Sequence, residues 1–80
     1  AGQNYKRAIA ALEKSLSVSP NNYDNLYLLG NAYYSDNQPK KAIASFIRVL
    51  ELMPGFARAR YNLAVAYISE NNKAAAMQQY

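Results

Sequence analysis

Tyr23-Asp-Asn-Leu-Tyr-Leu-Leu-Gly-Asn-Ala-Tyr-Tyr34, then the polar run Ser35-Asp-Asn-Gln-Pro39, then Lys40-Lys-Ala-Ile-Ala-Ser-Phe-Ile-Arg-Val-Leu-Glu-Leu-Met53 and a stop at Pro54: this stretch decides the fold. Its two apolar-periodic runs step by three and four residues, as one face of a 3.6-residue helix does. The polar run between them is a turn, and Pro39 suits the first position of the second helix. One helical hairpin is therefore written between Tyr23 and Pro54.

Working outward, the remainder of the chain is partial copies of that hairpin, offset by about 34 residues, a period typical of two-helix repeats. Pro20 falls on Pro54. Ala8 falls on Ala42 and Ala76, Ile9 on Ile43 and Met77, Leu12 on Phe46 and Tyr80, and Leu16 on Leu50. Tyr27, Leu29, Ala32 and Tyr33 fall on Tyr61, Leu63, Ala66 and Tyr67, and Gly30 falls on Ala64. The turns correspond as well, Ser35-Asp36-Asn37 with Ser69-Glu70-Asn71.

The helices follow in order. The first spans about Asn4 to Val18, with Tyr5, Ala8, Ile9, Leu12 and Leu16 in one stripe. Pro20 ends it and biases Ser19 away from the helical region. Asn21 or Asn22 caps the second helix, about Tyr23 to Ser35, with Asp24 in its first turn, where the helix dipole favours a carboxylate. Its stripe holds Leu26, Leu29, Gly30 and Tyr33. Gly30 costs about 1 kcal/mol of helix propensity against Ala, which a close approach of the neighbouring helix explains. The third helix runs from Pro39 to about Leu52 with Ala42, Ile43, Phe46, Val49 and Leu50 inward. The fourth, about Ala57 to Ser69, carries Tyr61, Leu63, Ala64 and Tyr67. Asn71 or Asn72 is expected to cap a fifth helix starting near Lys73. Tyr33 and Tyr67 are expected to be packing residues, and Ala8, Ala42, Phe46 and Leu50 core.

The spaced set Leu29-Gly30, Tyr33, Ala42, Phe46 and Pro54 resembles the tetratricopeptide repeat family. Leu26 holds the first site, where the family often has Trp, Val49 replaces a later Ala, and Arg60 takes the large-residue site in the last copy. The resemblance covers the whole chain. It implies an all-α fold, a right-handed superhelical array of antiparallel helix pairs. Residues 1–22 would be the second helix of a first repeat, 23–56 a complete repeat and 57–80 an incomplete one. Each hairpin is apolar on more than one face, so stacking is what buries it. The resemblance places the first helix of each unit on the concave side.

Eighty residues allow one small domain, near the lower limit for a self-sufficient core. Half the residues are apolar (51%), which sets the chain apart from disordered compositions. The net charge of +4 comes from nine scattered basic residues, with pairs only at Lys6-Arg7 and Lys40-Lys41, so no nucleic-acid stripe is drawn. No apolar run approaches the roughly 20 residues of a membrane span. Neither Cys nor His occurs, so the common general bases and thiol nucleophiles are missing. The acids Glu13, Asp24, Asp36, Glu51 and Glu70 form no pair across a cleft, since Asp36 and Glu70 should lie a repeat apart. No metal-ligand spacing and no phosphate-cradling glycine loop is present. The chain reads as a non-enzyme without cofactors.

The face left over on the second and fourth helices is the informative one. It holds Asp24, Tyr27, Asn31, Tyr34 and Ser35 on one, and Arg58, Tyr61, Asn62, Val65, Ile68 and Ser69 on the other, at steps that keep each set on one side. A solvated helix face is normally rich in Lys and Glu. This one offers Tyr, with large contact area and one polar handle, and Asn, with donor and acceptor together, which suits a peptide backbone. The expected function is a protein-interaction scaffold that binds a peptide segment or partner protein through Asp24, Tyr27, Asn31, Tyr34, Arg58, Tyr61, Asn62 and Val65. The alternative for Tyr27 and Tyr61 is that they fill space between adjacent helices.

Some members of the family clamp the terminal carboxylate of heat-shock chaperones with Lys, Asn, Asn and further basic residues. Asn31 and Asn62 match the two asparagines, but Tyr27 stands where the first Lys should be, and the unit that would supply the last basic residues is absent. Chaperone-tail binding is not expected. Two rivals remain. Helical repeats can read single-stranded RNA, with Tyr27, Tyr34 and Tyr61 stacking bases and Arg58, Arg60 and Lys73 meeting phosphates, although the basic residues do not align on one face. The end helices could instead expose apolar surface through which a second copy associates.

Overall fold

The computed structural model describes the backbone of residues 2–78 and the side chains of residues 4–71. Four helices follow one another: α1 (Gly2–Val18), α2 (Tyr23–Ser35), α3 (Pro39–Leu52) and α4 (Ala57–Gln78), with no strand among the described residues. The fold is all-α, a helical repeat of antiparallel pairs. α2 packs against α1 on one side and α3 on the other, α3 packs against α4, and α2 touches α4 only lightly. The result is a slab of 43 × 31 × 16 Å.

The caps are those the sequence calls for. Asn22 is the N-cap of α2, its side chain accepting from the Asn25 N–H, and Asp24 lies in the first turn. At the other end Asn37 takes φ 61°, a left-handed conformation that Asn tolerates better than most residues. There the Asn37 N–H donates to the Tyr34 carbonyl (3.1 Å) and the Gln38 N–H to the Tyr33 carbonyl (2.8 Å), which satisfies the last carbonyls of α2. Pro39 then opens α3 at its first turn. Arg60, out of pattern in the repeat, is exposed and donates to the Pro54 carbonyl at 2.7 Å, bracing the turn between α3 and α4.

The core is Ile9, Leu26, Leu29, Ala32, Tyr33, Ala42, Phe46, Val49 and Ala59. Phe46 and Val49 are its largest fully buried side chains, each worth about 1.5–3 kcal/mol of apolar burial. Gly30 lies directly against Phe46: a Cβ there would sit 2.5 Å from Phe46 Cε1. The close approach expected from the helix-propensity cost is thus the packing of an aromatic ring into the space a side chain would take. Tyr33 is buried, donates its hydroxyl to Glu13 of α1, and carries the Lys41 ammonium 5.6 Å from its ring centroid. Burial, the hydrogen bond to Glu13 and that residue's negative charge push the Tyr33 phenol up to about 12.

Three expectations fail and a fourth holds only in part. No turn interrupts α4: the helix runs through Asn71, Asn72 and Lys73 to Gln78, and no fifth helix forms among the described residues. Glu70-Asn71-Asn72-Lys73 imitates Asp36-Asn37-Gln38-Pro39, but it lacks the proline that drives Gln38 out of helical backbone. Lys and the three alanines that follow it are good helix formers. Tyr67 is consequently not a packing residue but 46% exposed. Its counterpart Tyr33 is covered because α3 folds back beside α2, and α4 does not fold back. Ala8 is exposed too. Ala42, its counterpart, is buried because α3 has a helix on each side. Leu50 is only partly buried. The repeat matches at Ala76, Met77 and Tyr80 lie outside the described side chains.

Candidate functional site

α2 and α4 run side by side with α3 behind them, and their light contact leaves a pocket of about 280 Å³ between them. Asn31, Tyr34 and Ser35 line it from α2, Tyr61, Asn62 and Val65 from α4, and Phe46 from α3. Helical spacing explains the grouping, since Asn31, Tyr34 and Ser35 lie three and four apart, as do Tyr61 or Asn62 and Val65. The volume is at the small end of the range for ligand sites, room for one or two side chains rather than a cofactor. Among its lining residues there is no charged side chain.

Two carboxamides meet across the pocket. Asn62 Nδ2 donates to Asn31 Oδ1 at 2.8 Å and to the Tyr27 hydroxyl at 3.1 Å. The three residues come from α2 and α4, so the network joins the two helices where their packing is thin. Tyr61 is 71% exposed and Tyr34 39%, which leaves two aromatic rings available at the rim. Ile68 extends the apolar side of α4 past the pocket, also exposed.

The expected site residues divide accordingly. Asn31, Tyr34, Tyr61, Asn62 and Val65 are brought together around the pocket. Asp24 and Arg58 are exposed in the first turns of α2 and α4, and neither lines it. Tyr27 is half-buried between helices. Its ring lies 5.0 Å from that of Phe56 and 6.0 Å from that of Phe46, and only the hydroxyl reaches the asparagines. Of the two roles open to Tyr27 in the sequence, space-filling describes its ring. The sequence marks Phe46 only as core, yet it also forms the pocket's floor. The signal for that was Gly30, whose missing side chain lets the ring come close to α2.

Among the described residues no group of three or more His, Cys, Asp or Glu could hold a metal ion, and no helix is long and apolar enough to cross a membrane.

Comparison with known proteins bears on the same residues. The family model described as Anaphase-promoting complex, cyclosome, subunit 3 matches residues 1–73. The peroxisomal targeting signal receptor of Candida glabrata is 38% identical over 66 residues, which is 82% of this chain and 11% of the receptor. The receptor of the same name from Saccharomyces cerevisiae is 38% identical over 63 residues, 79% of this chain and 10% of the receptor. A tetratricopeptide repeat and J domain-containing co-chaperone of Cryptococcus neoformans is 29% identical over 76 residues, 95% of this chain and 15% of that protein. The chain therefore spans only a small part of the length of these relatives. With the match running from α1 well into α4, the chain belongs to the family described as Anaphase-promoting complex, cyclosome, subunit 3, and its helix pairs are repeats of the tetratricopeptide type.

Proposed function

We propose that this chain is a non-catalytic interaction module whose pocket between α2 and α4 takes an extended peptide segment. The observation that carries the reading is the lining itself: two hydrogen-bonded carboxamides beside two exposed tyrosines and Val65, over a phenylalanine floor. Such a surface offers carboxamide hydrogen bonds to a peptide main chain and one apolar seat, and its lining holds no Asp, Glu, His, Lys or Cys. Relatives named as receptors for a targeting signal support a peptide ligand. In this reading residues 23–56 are one full repeat, flanked by part of a repeat on each side. Selection of a random displayed peptide library on the chain tests it. Enrichment of peptides that bind the native chain and are lost on Val65→Arg, with the circular dichroism melt retained, supports the groove. Enriched peptides that ignore Val65→Arg and Asn31→Ala place recognition elsewhere.

A second reading, association between copies, rests on the outer flank of α4. There Ala64 and Tyr67 are exposed, although their counterparts Gly30 and Tyr33 are buried beneath α3. The matching occupant is α1 of a second copy, whose exposed Ala8 corresponds to Ala42 of α3. A head-to-tail contact of that kind is heterologous and adds copies one after another, into a ring or a filament according to its rotation. Sedimentation over a wide concentration range tests it: growth of the particle supports the contact, and a constant monomer removes it.

A further inference from the structure

Tyr27 is the one member of the asparagine network whose ring is already engaged elsewhere. Phe56 and Phe46 hold the ring at 5.0 and 6.0 Å, so its hydroxyl is delivered to a fixed point. At that point it accepts from Asn62 Nδ2. A primary carboxamide has two N–H donors, and Asn62 directs one to Tyr27 and the other to Asn31 Oδ1. What remains of the pair is Asn31 Nδ2, a donor, and Asn62 Oδ1, an acceptor. Neither has a protein partner among the described hydrogen bonds, and no side-chain nitrogen or oxygen of the described residues is both buried and unpartnered, so both atoms meet solvent. Both residues line the pocket.

A free donor and a free acceptor on two hydrogen-bonded carboxamides are the complement of a peptide unit, which presents C=O and N–H. They are a poor complement of a carboxylate, which accepts only and would meet the Asn62 oxygen as a like pole. A half-turn of both carboxamides preserves this. Asn31 would then donate to Asn62, the Tyr27 hydroxyl would become the donor, and the free pair would again be one donor and one acceptor, exchanged. A hydroxyl can serve both arrangements, whereas the methylene-borne ammonium of a lysine could only donate and would add charge to a neutral lining.

We propose that Tyr27 is a positioning residue: by holding the Asn62 carboxamide it makes Asn31 and Asn62 one neutral, two-point site for an internal main-chain peptide unit, in preference to a chain-terminal carboxylate. This inference rests on the peptide reading of the groove and adds to it the residue that sets its hydrogen-bond polarity.

The test uses the chain, its Tyr27→Phe variant and two probes with the same apolar group, N-methylisovaleramide (one peptide-like unit) and isovalerate (one carboxylate), followed by NMR of the side-chain amide signals. Probes of this size bind in about the millimolar range. The native chain binds the methylamide and discriminates against isovalerate. Tyr27→Phe keeps the backbone spectrum, shifts the Asn62 amide protons even without a probe, and loses about fivefold in methylamide affinity, as one neutral hydrogen bond dictates. If Tyr27→Phe leaves the Asn62 signals and the methylamide affinity unchanged, Tyr27 is a filler and the groove stands without it. Preference of the native chain for isovalerate overturns the neutral main-chain specificity. If neither probe perturbs the pocket residues at all, the peptide reading falls and this inference with it.

Discussion

Gly30 and Phe46 set the distance between α2 and α3. Alanine is ordinarily the better helix residue by about 1 kcal/mol, yet its Cβ at position 30 would press on a ring that is fully buried. Overpacking of this kind costs about 1–3 kcal/mol, so Gly30→Ala should lower the melting temperature despite its propensity gain. Adding Phe46→Leu should restore part of the loss, and a melt of the four combinations reads the coupling directly. Tyr33 gives a second residue-level expectation. Its pKa is raised above the unfolded value of about 10 to about 12, mainly by burial and then by Glu13. The folded state therefore favours the neutral phenol, a contribution that is complete below pH ~10 and lost as pH rises towards ~12. Stability of the native chain should fall more steeply across that window than stability of Tyr33→Phe, measured by urea unfolding. Gly30 and Tyr33 were legible in the sequence because a helix-breaking choice and an aromatic at a repeated position each need a neighbour. Tyr27 was legible only by half: its partner Phe56 sits in the turn before α4, and nothing in helical spacing brings that ring to α2.

At the level of elements, the contrast between the α2–α3 turn and the uninterrupted α4 isolates what a turn requires. Both stretches have an acid followed by asparagine at matching places, and both follow an apolar helix. Only one has proline three residues after the acid, and only there does the backbone enter the left-handed region, at Asn37. Lys73→Pro should therefore interrupt α4 near residues 70–72, since proline within a helix costs about 3 kcal/mol. Carbon secondary shifts at residues 69–73 would show it, and a helix that continues unbroken through position 73 would contradict it. The absence of that proline is visible in the sequence, at Lys73, although the other turn residues match. The bounds of α2 and α3 were legible because each has a chemical terminator: Asn22 and Pro39 at the starts, Pro54 after the last. The ion pairs add little to this level. Arg48–Glu51 and Lys40–Glu70 are surface contacts, of a kind usually worth well under 1 kcal/mol.

For the whole molecule, the groove differs from its surroundings in charge. The chain carries +4, yet the pocket lining is neutral. Peptide affinity should thus change little between low and high salt, whereas contacts to nucleic-acid phosphates would give a steep decline. A titration at two salt concentrations separates the two, and a steep slope would count against the peptide reading. That the groove lies between α2 and α4 was legible from which residues were left after the core stripe was removed. Its floor was not, because Phe46 belongs to the core and to the pocket at once. That double membership makes the groove a thermometer. Whatever seats itself on Phe46 binds the folded chain and not the unfolded one, so it must raise the melting point, by an amount that grows with the logarithm of its concentration above Kd. At a hundredfold excess over Kd the gain is about 2.7 kcal/mol, a large fraction of what holds so small a domain together. A ligand for this chain can therefore be sought by heating it in the presence of candidates, with no knowledge of the partner in advance.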